Sequence, residues 1–303
     1  MTLFCIVIAL ILEQVQPLAQ QRFVLAPLAR YAQLLEERFN DGQPGHGKIA
    51  WLVAIVPPVV LVLLLQILLA WLQPLLALVL GVAVLYMTMG FRQFSHHFTD
   101  IHLALRMGEL ERARTLLGEW RGRSGERLSS QEVARLAIEQ ALVASHRHVF
   151  APLFGFVLFG PAGALLYRLA LFLGTRWGQP EFGAFGEFSR RALAALDWLP
   201  LRVSAASFAV VGDFEDAVYC WRTQAALWPD AATGVLLASG AGALGVRLGL
   251  PVNDASGITD RPELGLGEEA DVDLMQSTIG LVWRTLVLCL LLLALFWVAS
   301  WVG

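Results

Sequence analysis

Cysteine is scarce in this sequence. Cys5, Cys220 and Cys289 are odd in number, far apart and without CxxC or Cys/His spacing, so neither a disulfide framework nor a zinc site is expected. Charge is scarce too: 16% of the 303 residues are charged and 57% hydrophobic, against about 25% and roughly 45–50% in soluble globular domains. The 22 basic and 25 acidic residues leave a net charge of −3, which gives no basic field for nucleic acid. No Walker loop, GxSxG, HExxH or dinucleotide fingerprint occurs, so none of those chemistries has its usual residues. The apolar stretch Leu3–Leu12 lacks a preceding basic region and a following small-residue cleavage site, and is expected to be retained.

What the sequence has is long uncharged runs. Residues 49–72 carry no charge and would form a helix about 36 Å long, enough for a hydrocarbon core of about 30 Å. Pro57 and Pro58 should kink it, which a span tolerates when neighbours satisfy the freed carbonyls. After Gln73 a second uncharged run, 74–91, completes an expected transmembrane hairpin, with Trp71 as an interfacial anchor. Residues 149–167 form a third run, interrupted by Gly160-Pro161-Ala162-Gly163, which either crosses or re-enters. The fourth, 285–302, is rich in leucine and flanked by Trp283, Trp297 and Trp301. No strong strand alternation appears. The expected fold is all-α: a polytopic integral membrane protein with about four transmembrane or re-entrant helices plus amphipathic and cytoplasmic helices.

The organisation follows from these runs. Residues 1–48 are an N-terminal membrane-associated segment, amphipathic over Glu13–Lys48. Residues 49–91 are the hairpin. Residues 92–148 carry nine arginines against seven acids and are expected to be cytoplasmic and helical, with Ser129 or Ser130 and Glu132 starting one helix. Residues 149–173 are the broken helix, 174–279 a mixed helical region with an acidic tail, and 280–303 the C-terminal span. Gly108–Ala113 and Gly212–Ala217 look like tetratricopeptide fragments, but such repeats stack in tandem and these lie far apart, so ordinary helix packing is expected. His96, His97, His102, His146 and His148 border the arginine-rich region without metal-ligand spacing. The acids of the tail lack EF-hand spacing and read as a solvated linker.

Several words of the sequence resemble the AmpE family of inner-membrane proteins: Met1-Thr-Leu-Phe4, Ala104–Arg114, Phe150-Ala-Pro-Leu-Phe154 and Leu196-Asp-Trp-Leu-Pro-Leu-Arg202. The resemblance covers nearly the whole chain. It implies a sensor-type partner of the AmpD amidase, linked to β-lactamase induction and the response to antibiotic. AmpE is in turn similar to CobD/CbiB, the membrane synthase joining an aminopropanol unit to adenosylcobyric acid. The shared frame includes Glu139, Ala151–Phe154, Gly160–Leu165, Trp228–Ala231, Gly242–Gly249 and Arg261–Gly265. The polar motifs of the synthases are replaced here at Val143, Ala144 and Arg147, at Leu171–Thr175, and around Ala225 and Ala226. Those polar groups would hold Mg²⁺–ATP or activate an acyl group, and apolar replacements cannot.

The resemblance and the residues together lead to an expected non-enzymatic regulator in the bacterial inner membrane, with no catalytic residue, cofactor or metal. Its partners would be the lipid bilayer, a protein such as the AmpD amidase, and a muropeptide-type ligand. Arg106, Arg112, Arg114, Arg121 and Arg123 would present the binding surface, since guanidinium forks suit carboxylates and phosphates; lipid-head anchoring and pairing with Glu109, Glu111 and Glu119 explain them equally well. The alternatives are a diverged amide-forming synthase using Mg²⁺–ATP through Glu139, Asp197 and Asp230, and an assembly component of a larger membrane complex.

Overall fold

The computed structural model describes residues 2–16, 18, 21–123, 125–254 and 257–302. The side chain of Trp301, named above as a flank of the fourth run, lies outside the described set. Among the described residues twelve α-helices are α1 (Thr2–Val15), α2 (Ala26–Phe39), α3 (Pro44–Leu72), α4 (Pro74–Thr88), α5 (Phe91–Arg106), α6 (Leu110–Arg121), α7 (Ser130–Ser145), α8 (Ala151–Arg176), α9 (Glu187–Val211), α10 (Phe214–Gln224), α11 (Ala231–Leu244) and α12 (Val272–Val302). Five short strands are β1 (Val246–Gly249), β2 (Val252–Asp254), β3 (Gly257–Thr259), β4 (Glu263–Leu264) and β5 (Glu268–Glu269). The chain divides into two compact units, one of residues 1–91 and 147–200, the other of 92–146 and 201–303.

The helical polytopic fold is as expected, although its spans are drawn differently. Four helical runs are long and apolar enough to cross a membrane: Pro44–Leu72, Ser130–Arg176, Glu187–Val211 and Val272–Ala299. The second arm of the expected hairpin is α4, whose 15 residues rise about 22 Å, short of a 30 Å core. Its helix stops at Thr88 because Met89 turns extended, with ψ 160°. The run Glu187–Val211 went unread because Arg190, Arg191, Asp197 and Arg202 interrupt its hydropathy.

In the first unit, two proline-freed carbonyls find specific partners. Proline removes the N–H that would bond the carbonyl four residues earlier. For Pro57 that carbonyl is Val53, and the Tyr31 hydroxyl of α2 donates to it at 3.1 Å. For Pro152 it is His148, and the Gly90 N–H donates to it at 3.1 Å. Helix α2 is further fixed by Glu36, which accepts from Arg176 at 2.6 and 2.9 Å and from the Trp177 indole at 2.6 Å. Burial alone would raise the Glu36 carboxyl, but the Arg176 and Trp177 hydrogen bonds and the Arg176 charge outweigh it and hold it below its ordinary value. Under this anchor lie Ala32, Leu35, Ala54, Leu173, Trp177 and Phe185, all buried.

Helix α8 is broken at Gly160, whose φ of 62° and ψ of −151° no L-residue adopts comfortably. Gly155 and Gly163 would stand about 12 Å apart in a straight helix. Instead their backbones touch: a side chain at Gly163 would collide with the Gly155 carbonyl, and a Cβ at Gly155 would sit 2.8 Å from the Gly163 carbonyl oxygen. The two halves of α8 therefore fold back on each other, with exposed Val157, Leu158 and Phe159 at the tip. The segment is thus a helical hairpin rather than one straight helix.

In the second unit, α7 opens with a capping box: the Ser129 hydroxyl accepts from the Glu132 N–H, and the Glu132 carboxylate accepts from the Ser129 N–H. Asp213 and Asp230 cap α10 and α11. The glycines of α11 admit close neighbours, a Cβ at Gly240 falling 2.7 Å from Leu142. The acidic tail, expected to be a linker, instead supplies β3, β4 and β5. Strand β1 pairs antiparallel with β4 and parallel with β5, and β2 with β3 make a hairpin. At two to four residues each, these strands are too short to show alternation in the sequence.

Candidate functional site

The arginine-rich helices place most of their charge beside carboxylates. Spacing of three on α6 pairs Arg112 with Glu109 at 2.9 Å and Arg114 with Glu111 at 2.5 Å, and Arg114 also donates to the Leu128 carbonyl at 2.6 Å. Arg121 lies in the last turn of α6. Arg106 and Arg123 form no ion pair among the described residues. Arg114 and Arg123 line an open cleft of about 420 Å³ together with Glu111, Glu119 and Glu126, so this surface is of mixed charge rather than basic.

The histidines go to separate neighbours. His97 stacks on Trp120, His96 meets Arg92 at 2.9 Å, and buried His146 meets the Ser204 hydroxyl at 2.9 Å. His148 Nδ1 lies 2.9 Å from an Arg168 guanidinium nitrogen, which can only donate, so Nδ1 is the acceptor in this contact. Burial, and then the Arg106 charge, push the His102 imidazole below its ordinary value, against Asp273.

Glu139, Asp197 and Asp230 each have protein partners of their own. Asp197, in the first unit, accepts from the Tyr167 hydroxyl at 2.9 Å. Asp230 accepts from the Ala232 and Thr233 N–H groups as the cap of α11. Glu139, buried on α7, accepts from the Gly249 N–H at 2.9 Å and from Arg261 at 2.5 Å. Among the described residues no three His, Cys, Asp or Glu side chains group as metal ligands.

Around Glu139, however, the second unit builds one coherent node. Glu132, Arg135 and Glu139 form a polar stripe on α7, spaced three and four residues apart. Glu132 accepts from Asn253 N–H at 3.2 Å, Arg135 donates to Pro251 C=O at 3.0 Å, and Glu139 accepts from Gly249 N–H. The three α7 side chains therefore hold the connection between β1 and β2 at Gly249, Pro251 and Asn253. Arg261 lies over the Trp228 ring, 4.9 Å from its centroid, while it pairs with Glu139. Between them the chain turns sharply: Leu250, just before Pro251, has φ 61° and is the only non-glycine with positive φ among the described residues. Glu139, Trp228, Gly249 and Arg261 come from four distant words of the sequence. Glu132 and Arg135 were missed as members of the node, although their helical spacing from Glu139 was visible. The replaced positions Ala144, Leu171, Leu173 and Ala225 are buried and apolar.

The sequence model of the family described as CobD/Cbib protein matches residues 6–282. A cobalamin biosynthesis protein CobD from Stutzerimonas stutzeri (strain A1501) is 34% identical over 302 residues, covering 97% of each chain. A protein of the same name from Chromobacterium violaceum is 38% identical over 196 residues, 64% of this chain and 63% of its own. Cobalamin biosynthesis protein CbiB of Salmonella typhimurium is 27% identical over 228 residues, 70% of this chain and 69% of its own. No solved structure matches. Nothing in these comparisons points to AmpE, to β-lactamase regulation, to the AmpD amidase or to a muropeptide.

Proposed function

The chain belongs to the CobD/CbiB family, and from that membership we propose that it works in cobalamin biosynthesis as a multi-pass protein of the bacterial inner membrane. The reaction class is the one the resemblance implies, formation of an amide between an aminopropanol unit and adenosylcobyric acid. The observation that carries this reading is the identity with CobD over 97% of both chains. The node agrees with it, because the frame residues Glu139, Trp228, Gly249 and Arg261 hold one another there. In this reading Glu139 is a positioning residue. Each of its carboxylate oxygens accepts from one partner, the Gly249 N–H and the Arg261 guanidinium, and what it does is hold Arg261 and the Gly249 turn in place.

A second reading is favoured by the buried apolar side chains at the positions where the synthases carry polar motifs: a family member that keeps the fold and a ligand site without the synthase chemistry. Complementation separates the two. A strain lacking its own CobD/CbiB protein, supplied with adenosylcobyric acid and dependent on cobalamin, is expected to grow when this chain is expressed. Absence of growth, with the protein in the membrane at ordinary levels, would select the second reading.

A further inference from the structure

We propose that α8 is a re-entrant hairpin: its tip of Val157, Leu158 and Phe159 enters the bilayer from the side on which the helix begins, ends among lipid acyl chains about half-way across, and returns to that side. Its arms are short for a crossing. Residues 151–159 rise about 14 Å and residues 161–176 about 24 Å, against a hydrocarbon core of about 30 Å. The arms meet in antiparallel order, Gly155 against Gly163 near the break and His148 against Arg168 farther down, where the guanidinium donates to the imidazole Nδ1 at 2.9 Å. That bond closes the base of the hairpin, and Gly160 lies at its far end.

Helix α4, in the same compact unit, gives the depth. Beside the base, the Gly90 N–H donates to the His148 carbonyl at 3.1 Å. Farther along, a Cβ on Gly81 would lie 3.5 Å from the Phe156 ring and 3.8 Å from the Pro161 ring, so the end of the hairpin sits level with Gly81. Gly90 to Gly81 is about 14 Å at helical rise, and α4 continues about 10 Å further to Pro74, where α3 joins it beside the exposed Trp71. The hairpin therefore stops well short of the α3–α4 turn. Beyond it α4 exposes Leu75, Leu76 and Val79, and the tip exposes Phe159 at 67%. Residues 149–167 bear no charge, so the solvent that matches this end is hydrocarbon. Pro161, directly after the break, has no N–H to satisfy there, which lessens the cost of an irregular backbone in lipid. The basic residues agree. Arg147 and Arg176 flank the segment, and a straight crossing would put them on opposite sides, whereas folding back keeps both on the side where basic residues accumulate. The run Ser130–Arg176, long enough to cross, thus contributes a hairpin instead.

The inference rests on the membrane fold and not on the cobalamin reading, so either can fail alone. The test is cysteine accessibility in the full-length chain carrying Cys289→Ala, Cys5 and Cys220 being buried, with a membrane-impermeant maleimide on right-side-out and inside-out vesicles and Cys289→Ala alone as background. Arg127→Cys before α7 and Ala184→Cys after α8, both at exposed positions, are expected to react in the same vesicle orientation. Leu158→Cys is expected to react in neither. A nitroxide attached to Leu158→Cys in liposomes is expected to collide with oxygen and to be shielded from a water-soluble nickel chelate, as a lipid-facing position deep in the bilayer is. Should Leu158→Cys fail to accumulate, Phe159→Cys carries the same test. Reaction of Arg127→Cys and Ala184→Cys in opposite orientations would mean a crossing and overturn the proposal. So would maleimide labelling of the tip, or a nitroxide shielded from oxygen and nickel alike, which would place the tip within protein rather than lipid.

Discussion

Replacing Glu139 with alanine removes one partner of a buried ion pair, whose side chains are only 11% and 15% exposed, and also the acceptor of the Gly249 N–H. Breaking such a pair from one side costs about 3–5 kcal/mol, because the surviving charge stays buried. At about 2–4 °C per kcal/mol for a unit of this size, Glu139→Ala should lower the thermal midpoint in detergent by roughly 6–20 °C. The double variant Glu139→Ala/Arg261→Met should lose less than the sum of the two single losses, since removing both charges leaves none stranded. A Glu139→Ala midpoint within about 2 °C of wild type, less than 1 kcal/mol by the same scale, would refute the view that this pair ties α7 to the turn.

Tyr31→Phe leaves the Val53 carbonyl at the Pro57 kink without its donor and should cost about 1–3 kcal/mol, read as a lower midpoint in detergent. Gly163→Leu collides with the Gly155 carbonyl, so this variant is expected to fail to accumulate in membranes, whereas Leu158→Phe at the exposed tip accumulates normally; equal levels would refute the folded-back geometry. His102 has a folded pKa below its ordinary value, so the unfolded chain binds the proton first. Stability is therefore full above about pH 6.5 and falls as the pH drops below it, and His102→Gln should flatten that slope in a pH series of thermal melts.

Long-range features were legible where one physical signal dominated. The uncharged run of α3, the Ser129–Glu132 cap of α7 and the glycine break of α8 each follow from a rule acting within one segment. Helix α9 was not legible as a span because its charges mask its apolar content, and the β1–β5 segment was not because its strands are held by pairing and by α7 side chains. The node was half legible. Glu139, Trp228, Gly249 and Arg261 stood out through the resemblance, whereas Arg135 read as one more cytoplasmic cation, and only its burial against Pro251 distinguishes it from Arg112. The same rule of helical spacing that suggested an arginine surface explains why that surface is partly self-neutralised at Glu109 and Glu111.

The most direct measurement is chromatographic and mass-spectrometric: adenosylcobyric acid and aminopropanol, with ATP and Mg²⁺, incubated with membranes that contain this chain and no other CobD/CbiB protein. The account predicts an adenosylcorrinoid that has gained the aminopropanol unit with loss of one water, and a reduced yield from membranes carrying Arg261→Ala at equal protein level. An unchanged adenosylcobyric acid peak, in membranes where a CobD protein run in parallel does form the product, would contradict it.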